Sequence, residues 1–394
     1  MKELTENVRE IINSSEEPYT DEEVLCRIEG LVLHGEATAW LHHRKKAQLI
    51  RDLFNATRKE LDVLQPYGDD SGISEIMVNG KDAVFIERQG RIEKVPTVFE
   101  EEEELEELIR RLAGRVHREI NELSPVVSAR LEDGSRVNAV HRCVALNGPI
   151  LNIRKFPPNR IRMEELLKSG TLTMPAAKLL EKLVAAGYNI FISGGTSSGK
   201  TTMLNILASF IPPEERVIVI EDSAELQIEG IENLVRLEAR NANVQGKGEV
   251  SMRELIRASL RMRPDRIIVG EVRGAEVLDM VQAMNTGHDG SLSTGHGNSP
   301  EGMLLRLEMM FLTAASFPAE AIRRQLAEAV DIIVHMGRLP DRSRKVLEIA
   351  EVDGFTEGGI GLRTLFRHES GKGLQPTGAV LKNQKKLELR GIEL

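Results

Sequence analysis

Cysteine is nearly absent: Cys26 and Cys143 are the two in 394 residues, far apart and in no C-x-x-C spacing. That excludes a disulfide framework, offers no zinc pattern and fits a reducing compartment. Aromatic residues are scarce, at 4%, so the stacking platforms on which single-stranded nucleic acid lies are missing. Long apolar runs are missing too. No segment reaches the length of a bilayer span, and Met1 to Glu6 begins no apolar signal core. The chain is therefore expected to be cytoplasmic and to reach a membrane only through partners. A net charge of −9 and a pI near 5.7 count against a whole surface that grips nucleic acid, while a local basic channel stays open.

What is present reads as an ordinary globular protein, with 41% hydrophobic and 29% charged residues. The length suggests two or three domains. One stretch organises the rest: Gly194-Gly195-Thr196-Ser197-Ser198-Gly199-Lys200-Thr201-Thr202. It follows the apolar run Tyr188 to Ile192 and precedes Met203, Leu204, Ile206 and Leu207, so a strand, a glycine loop and a helix come in the order a P-loop requires. Glycines let the backbone close around phosphate oxygens, and the helix start adds its positive end. Lys200 supplies a charge for the β- and γ-phosphates of ATP. Thr201 supplies a hydroxyl for magnesium, with Glu271 as the second candidate metal contact.

Residues 1–68 read as a helical segment. Thr20 and Glu23 form a capping box ahead of Val24, Ile28 and Leu31, and Leu49, Ile50, Leu53, Phe54, Leu61 and Leu64 extend a second stripe that Pro66 and Gly68 stop. Trp40 stands between these helices. The adjacent His42 and His43 point in different directions on a helix and read as solvated surface. Residues 69–156 read as a small α+β domain. Its short strands, Ile76 to Val78, Ala83 to Glu87 and Ile92 to Val95, are broken by Asn79-Gly80 and Gln89-Gly90, and Val126 to Asn138 and Ile150 to Phe156 add more around Glu132-Asp133-Gly134. Between them, Glu100 to Glu107 with Leu105, Leu108, Ile109 and Leu112 predicts a helix, acid first and base last. Arg130, Arg136 and Arg154 cluster here, either as exposed ion-pair residues or as phosphate contacts.

Residues 157–163, from Pro157-Pro158 through Asn159 and Arg160, read as a linker. Residues 164–354 contain apolar strands alternating with helices, which implies a parallel sheet whose ligands bind at the carboxyl ends of the strands. Two strands end in acids: Val217 to Ile220 in Glu221-Asp222, and Ile267 to Gly270 in Glu271. Glu271 is the candidate carboxylate for the attacking water, its alternative being to cap a helix over Val272 to Met284. Glu221 orients water or magnesium, or remains a solvated strand end. His288 and His296, each framed by glycines, suggest a loop that senses the γ-phosphate. The Met303 to Met310 helix reads as core filler, and residues 355–394 as a C-terminal tail with no assigned function.

Together the P-loop, the stretch ending in Glu221-Asp222, Leu260 to Glu271, and Thr286 to Ser299 resemble the Walker A, Asp box, Walker B and His box of type II and type IV secretion ATPases. Gly270 stands where most P-loop ATPases carry aspartate. Ser124-Pro125 through Asn138 to Ile153-Arg154-Lys155-Phe156 resembles the CpaF branch of tight-adherence (Flp) pilus ATPases. The resemblance implies an α/β fold with a RecA-like P-loop domain after a smaller α+β domain, a homohexamer, and an inner-membrane platform protein as partner, without direct nucleic-acid binding. It further implies that Arg136 and Arg154, with Arg236 and Arg240 after the Asp box, serve as charge-stabilising fingers, and that His296 belongs to the site. A RecA-like nucleic-acid translocase or conjugation-type DNA-transfer ATPase is the competing class. Two departures stand out: His141-Arg142-Cys143 where prolines are frequent, and Ser197 where a P-loop glycine is frequent.

Overall fold

The computed structural model describes Val8 and residues 19–35, 38–88, 90–116, 118–131, 133–156, 161–240, 247–356 and 359–394. Met1 to Glu6, Gln89, Glu132 and the expected linker residues Pro157, Pro158, Asn159 and Arg160 lie outside the described residues. The chain divides into two units, Met1–Asn159 and Arg160–Leu394.

In the first unit the capping box starts α1 (Asp21–His34), with Thr20 accepting from the Glu23 N–H and Glu23 accepting from the Thr20 N–H at 2.8 Å. Val24, Ile28 and Val32 are buried with Leu53 of α2 (His43–Arg58). The apolar stripe predicts one helix through Leu64, yet α2 stops at Arg58. Lys59 is extended there, and Leu61 and Leu64 turn into the core of the sheet that follows. Pro66 instead occupies the first turn of a separate helix, α3 (Gln65–Asp69).

Next come β1 (Ile73–Asn79), β2 (Val84–Arg88), β3 (Arg91–Val95), α4 (Glu102–Arg115), β4 (Val126–Arg130), β5 (Arg136–Val140) and β6 (Ile150–Arg154). The strands form an antiparallel sheet in the order β3-β2-β1-β6-β5-β4. The predicted stripe of α4 (Leu105, Leu108, Ile109 and Leu112) is buried in the same core as Ile76, Val78 and Ile153. Glu102, Glu103 and Glu104 fill the helix's first turn and Arg115 its last, matching the dipole. The His141-Arg142-Cys143 departure is anchored here, since Arg142 Nε lies 3.0 Å from the buried carboxylate of Glu106.

The second unit runs α5 (Met163–Lys168), α6 (Met174–Ala186), β7 (Ile190–Gly194), α7 (Lys200–Ala208), β8 (Val217–Glu221), β9 (Leu234–Glu238), α8 (Met252–Ser259), β10 (Arg266–Val269), α9 (Glu276–Asn285), β11 (Leu292–Gly295), α10 (Pro300–Ala314), α11 (Ala319–Ala329) and β12 (Ile332–Arg338). It closes with β13 (Arg344–Thr356), β14 (Gly359–Glu369), β15 (Gly373–Pro376) and α12 (Lys385–Arg390). One sheet has the order β15-β14-β13-β12-β7-β11-β10-β8-β9. From β12 to β9 the neighbours are parallel, and β13 to β15 continue antiparallel. Every residue of β7, β8, β10 and β11 is buried, because helices cover both faces: Leu180, Leu183 and Leu204 pack on one, Val277, Met280, Met303 and Leu307 on the other. That is why β7, β8 and β10 read as near-continuous apolar runs rather than alternating ones, whereas the buried β11 is Leu292-Ser293-Thr294-Gly295.

The residues expected as a tail are part of this architecture. They supply β14, β15 and α12, and Leu387 is buried in the core. Lys386 Nζ lies 2.7 Å from both Asp289 and Asp331, and the Glu351 carboxylate accepts from the Lys382 and Asn383 backbone N–H groups at 2.9 and 2.7 Å. These strands pair as consecutive hairpins, with Thr356 opposite Gly359 and Glu369 opposite Gly373.

Candidate functional site

Parallel strands present their carboxyl ends to one edge of the sheet, and here that edge gathers Gly194, His296, Glu271 and Glu221. The loop after β7 makes its turn with Gly194 at φ 158 and Gly199 at φ 99. A Cβ at Gly194 would lie 2.5 Å from the Met336 carbonyl oxygen and 2.6 Å from Ser198 Oγ, so a side chain has no room. Ser197 adopts φ 58, the left-handed conformation that the frequent glycine would hold at lower cost. Thr196 and Ser197 are exposed, Gly195 faces open space, and Thr201 and Thr202 lie in the first turn of α7.

Lys200 turns back onto its own loop. Its ammonium donates to the Gly194 and Gly195 carbonyls at 3.1 and 2.8 Å and lies 3.5 Å from His296 Nδ1. Burial pushes its pKa below the ordinary lysine value, with the Glu271 charge opposing that shift. His296 Nε2 is 2.8 Å from Glu271 Oε1, and Arg273 donates to Glu271 Oε2 at 2.7 Å. Burial, followed by the Lys200 charge, lowers the His296 pKa. The neutral ring can accept from the ammonium, whereas its approach to the carboxylate lacks hydrogen-bond geometry and leaves the buried Glu271 Oε1 without a hydrogen-bond partner among the described residues. Lys200, His296, Glu271 and Arg273 thus stand in contact in that order at the carboxyl ends of β7, β11 and β10.

Glu271 does not cap α9. The helix starts at Glu276, whose Oε1 accepts from the Arg273 and Gly274 N–H groups at 2.5 and 2.8 Å. The carboxylate of Glu271 is left for the site. Glu221 is held differently: its Oε1 accepts from the Glu225 and Leu226 N–H groups at 2.8 and 2.9 Å, and Arg236 stands 3.9 Å from Oε2. Burial raises its pKa. A Cβ at Gly270 would come within 3.0 Å of Glu221 Cγ, so the unusual glycine makes room for the Glu221 side chain on the neighbouring strand.

Other predicted residues are placed elsewhere. His288 precedes β11, its Nδ1 3.2 Å from the Ala283 carbonyl oxygen, whereas His296 follows that strand; the two histidines mark opposite ends and do not act as a pair. Arg240 Nε donates to the Gly248 carbonyl at 2.6 Å, and Arg236 donates to the Leu226 carbonyl at 2.8 Å. In the first unit Arg136 is directly opposite both Arg154 on β6 and Arg130 on β4, and Glu75 is opposite Arg154. Like charges in opposed positions cost a sheet stability, and Arg130 is also set against the Phe156 ring, 5.8 Å from its centroid.

Sequence reading missed His335. It sits on β12 in register with Ser193, its Nδ1 2.7 Å from Ser193 Oγ, and both residues are buried. A lone histidine inside an apolar strand was the available signal. Burial holds its pKa below the usual histidine value of 6.5, so the folded protein binds fewer protons here than the unfolded chain. Its contribution to stability is present above that value and is lost as the pH falls through it. His335→Asn is expected to flatten the acid side of the stability profile, read as thermal midpoints from about pH 8 to about pH 5.

The donor set fits a nucleoside triphosphate with a hard cation: open backbone at Gly195, a mobile ammonium, hydroxyl and carboxylate oxygens, and a buried Ser198 Oγ without a partner among the described residues. The chain also resembles known proteins. Residues 58–377 match the family of type II/IV secretion system proteins. A Mycobacterium tuberculosis chain named for conjugal transfer is 36% identical over 294 residues, covering 73% of this chain and 83% of that one. PtlH, a type IV secretion system protein of Bordetella pertussis, is 32% identical over 322 residues, 75% of this chain and 94% of its own. The ATPase DotB of Legionella pneumophila aligns with a TM-score of 0.52 at 20% identity over 75% and 80% of the two chains, a likeness of fold.

Proposed function

The chain belongs to the type II/IV secretion system protein family, and we propose that it is an ATP-hydrolysing motor, acting as a homohexamer, that drives pilus assembly or protein export through a membrane platform protein. The observation that carries this reading is the line Lys200–His296–Glu271, which joins a phosphate-binding charge to a carboxylate base through one imidazole. When ATP draws the ammonium from the loop carbonyls, His296 loses one of its two neighbours, while Arg273 keeps the Glu271 carboxylate in place. Thr201 and Glu271 would hold magnesium, which when bound supplies positive charge to the β- and γ-phosphates. Within the family, the stretch from Ser124 to Phe156 supports the CpaF branch.

Arg136 and Arg154 enter this proposal as the source of additional charge for the transferring phosphoryl group. Replacing either by alanine is expected to cut kcat on the order of tenfold to a thousandfold while changing KM less. Equal losses in both would mark ground-state contacts instead. Relatives named for conjugal transfer favour one second reading, a motor that acts on DNA. Steady-state hydrolysis with and without single-stranded DNA separates the two, and no stimulation is expected for the secretion motor. Strong stimulation would reverse the order.

A further inference from the structure

The turn joining α1 to α2 carries a combination that neither helix needs for its own stability. Trp40, the chain's single tryptophan, is 78% exposed and Leu33 47%. The turn displaying them is fastened from below. Thr38 is buried, its hydroxyl donates to the Val32 carbonyl at 2.7 Å, and the Leu41 N–H donates to the Thr38 carbonyl at 3.0 Å.

Immediately after Trp40 the chain places His42, His43, Arg44, Lys45 and Lys46 at the start of α2. From Gly30 to Arg51 the sequence has Arg44, Lys45, Lys46 and Arg51 against one acid, Glu36, in a chain whose net charge is −9. No acid occupies the first turn of α2, and His42 makes no side-chain cap. Positive charge at a helix start opposes the helix dipole, so helix stability does not explain this run. Lys46 has a local role, donating to the Leu33 carbonyl at 3.2 Å, which also sets Leu33 beside the basic turn. Arg44 and Lys45 are exposed and make no ion pair among the described residues.

An indole and a leucine ringed by cations match the chemistry of a bilayer interface. Trp prefers the headgroup level, and basic side chains are drawn to anionic lipid. A nucleic-acid groove needs cations that track successive phosphates, whereas these are confined to one turn. We propose that this hairpin tip seats on an anionic lipid surface, with Trp40 and Leu33 entering the headgroup region and Arg44 and Lys45 facing the acidic headgroups. Among the described residues no helix is long and apolar enough to cross a membrane; this contact is peripheral. It adds a direct contact to the expectation that partners alone bring the chain to a membrane, and it does not depend on the ATPase reading.

Because Trp40 is the single tryptophan, its emission reports on the tip alone. The full chain is titrated with vesicles of phosphatidylcholine and with vesicles of equal phosphatidylcholine and phosphatidylglycerol. A blue shift is expected with the anionic vesicles and not with the neutral ones, reversed at high ionic strength. The double variant R44A/K45A should bind roughly 25-fold more weakly, about fivefold per basic residue, with an unchanged thermal midpoint as evidence of folding. Emission unmoved by anionic vesicles, an equal shift on neutral ones, or unaltered binding by the double variant would overturn the proposal. So would a shift produced by a single-stranded oligonucleotide at lower concentration than by lipid, which would assign the tip to nucleic acid.

Discussion

Purified Glu271→Gln is expected to retain ATP binding and to lose hydrolysis by a factor on the order of 10² to 10⁴, the range that a positioned general base supplies. The side chain sits at the carboxyl end of β10, 2.8 Å from His296 Nε2 and 2.7 Å from an Arg273 nitrogen. Glutamine preserves its volume, so packing is conserved. What changes is the proton acceptor. A carboxylate can accept with both oxygens, whereas an amide accepts with one atom and donates with the other. If the amide oxygen stays on Arg273, its NH₂ faces His296 and forces the ring to the tautomer that directs a proton at Lys200. The variant therefore loses the base and also disturbs the line that joins it to the P-loop. A nucleotide titration beside a steady-state assay separates these effects: near-normal affinity with collapsed kcat supports the role, and turnover within threefold of the unsubstituted protein would sink it.

Lys200→Ala should fail at the earlier step. In this structure the ammonium is bonded to two loop carbonyls, an arrangement it can exchange for phosphate oxygens without leaving the site. Hydrogen bonds to charged groups contribute about 1.5–3 kcal/mol each, so losing one such contact weakens nucleotide affinity by roughly ten- to 150-fold. Two lost contacts multiply the effect. Lys200→Arg is not expected to rescue binding, since a planar fork does not replace a compact ammonium over these carbonyls. Calorimetric titration with ADP and ATP is the direct measurement, and an affinity within threefold of the unsubstituted chain would exclude Lys200 as a phosphate ligand.

Both variants probe a site that was partly legible in the residues alone. The capping box at Thr20, the α4 stripe and the P-loop are local patterns, and the structure reproduces each of them where hydrogen bonds or packing within a few residues decide the outcome. Helix limits were less visible. The stripe through Leu61 and Leu64 looks continuous with α2 because both cores demand leucine, and only packing assigns those two residues to the sheet. The helix expected from Val272 starts at Glu276 because that carboxylate, rather than Glu271, reaches back to the preceding N–H groups. His288 and His296 share the same glycine framing in sequence, yet one strand's length separates them.

By itself the sequence determined that a glycine-rich strand-to-helix turn exists and which residues form it, since glycines, lysine and hydroxyls are contiguous and such a turn needs only neighbours. It also determined that two acids end apolar strands. Tertiary structure alone decided how these parts meet. β11 comes after β10 in the chain but pairs between β7 and β10, which inserts His296 between Lys200 and Glu271. The register of β12 on β7 likewise sets His335 under Ser193, and the opposed strands β4, β5 and β6 align three arginines. Such placements depend on strand order and register, which non-local hydrogen bonding and burial select and which no local pattern of residues encodes.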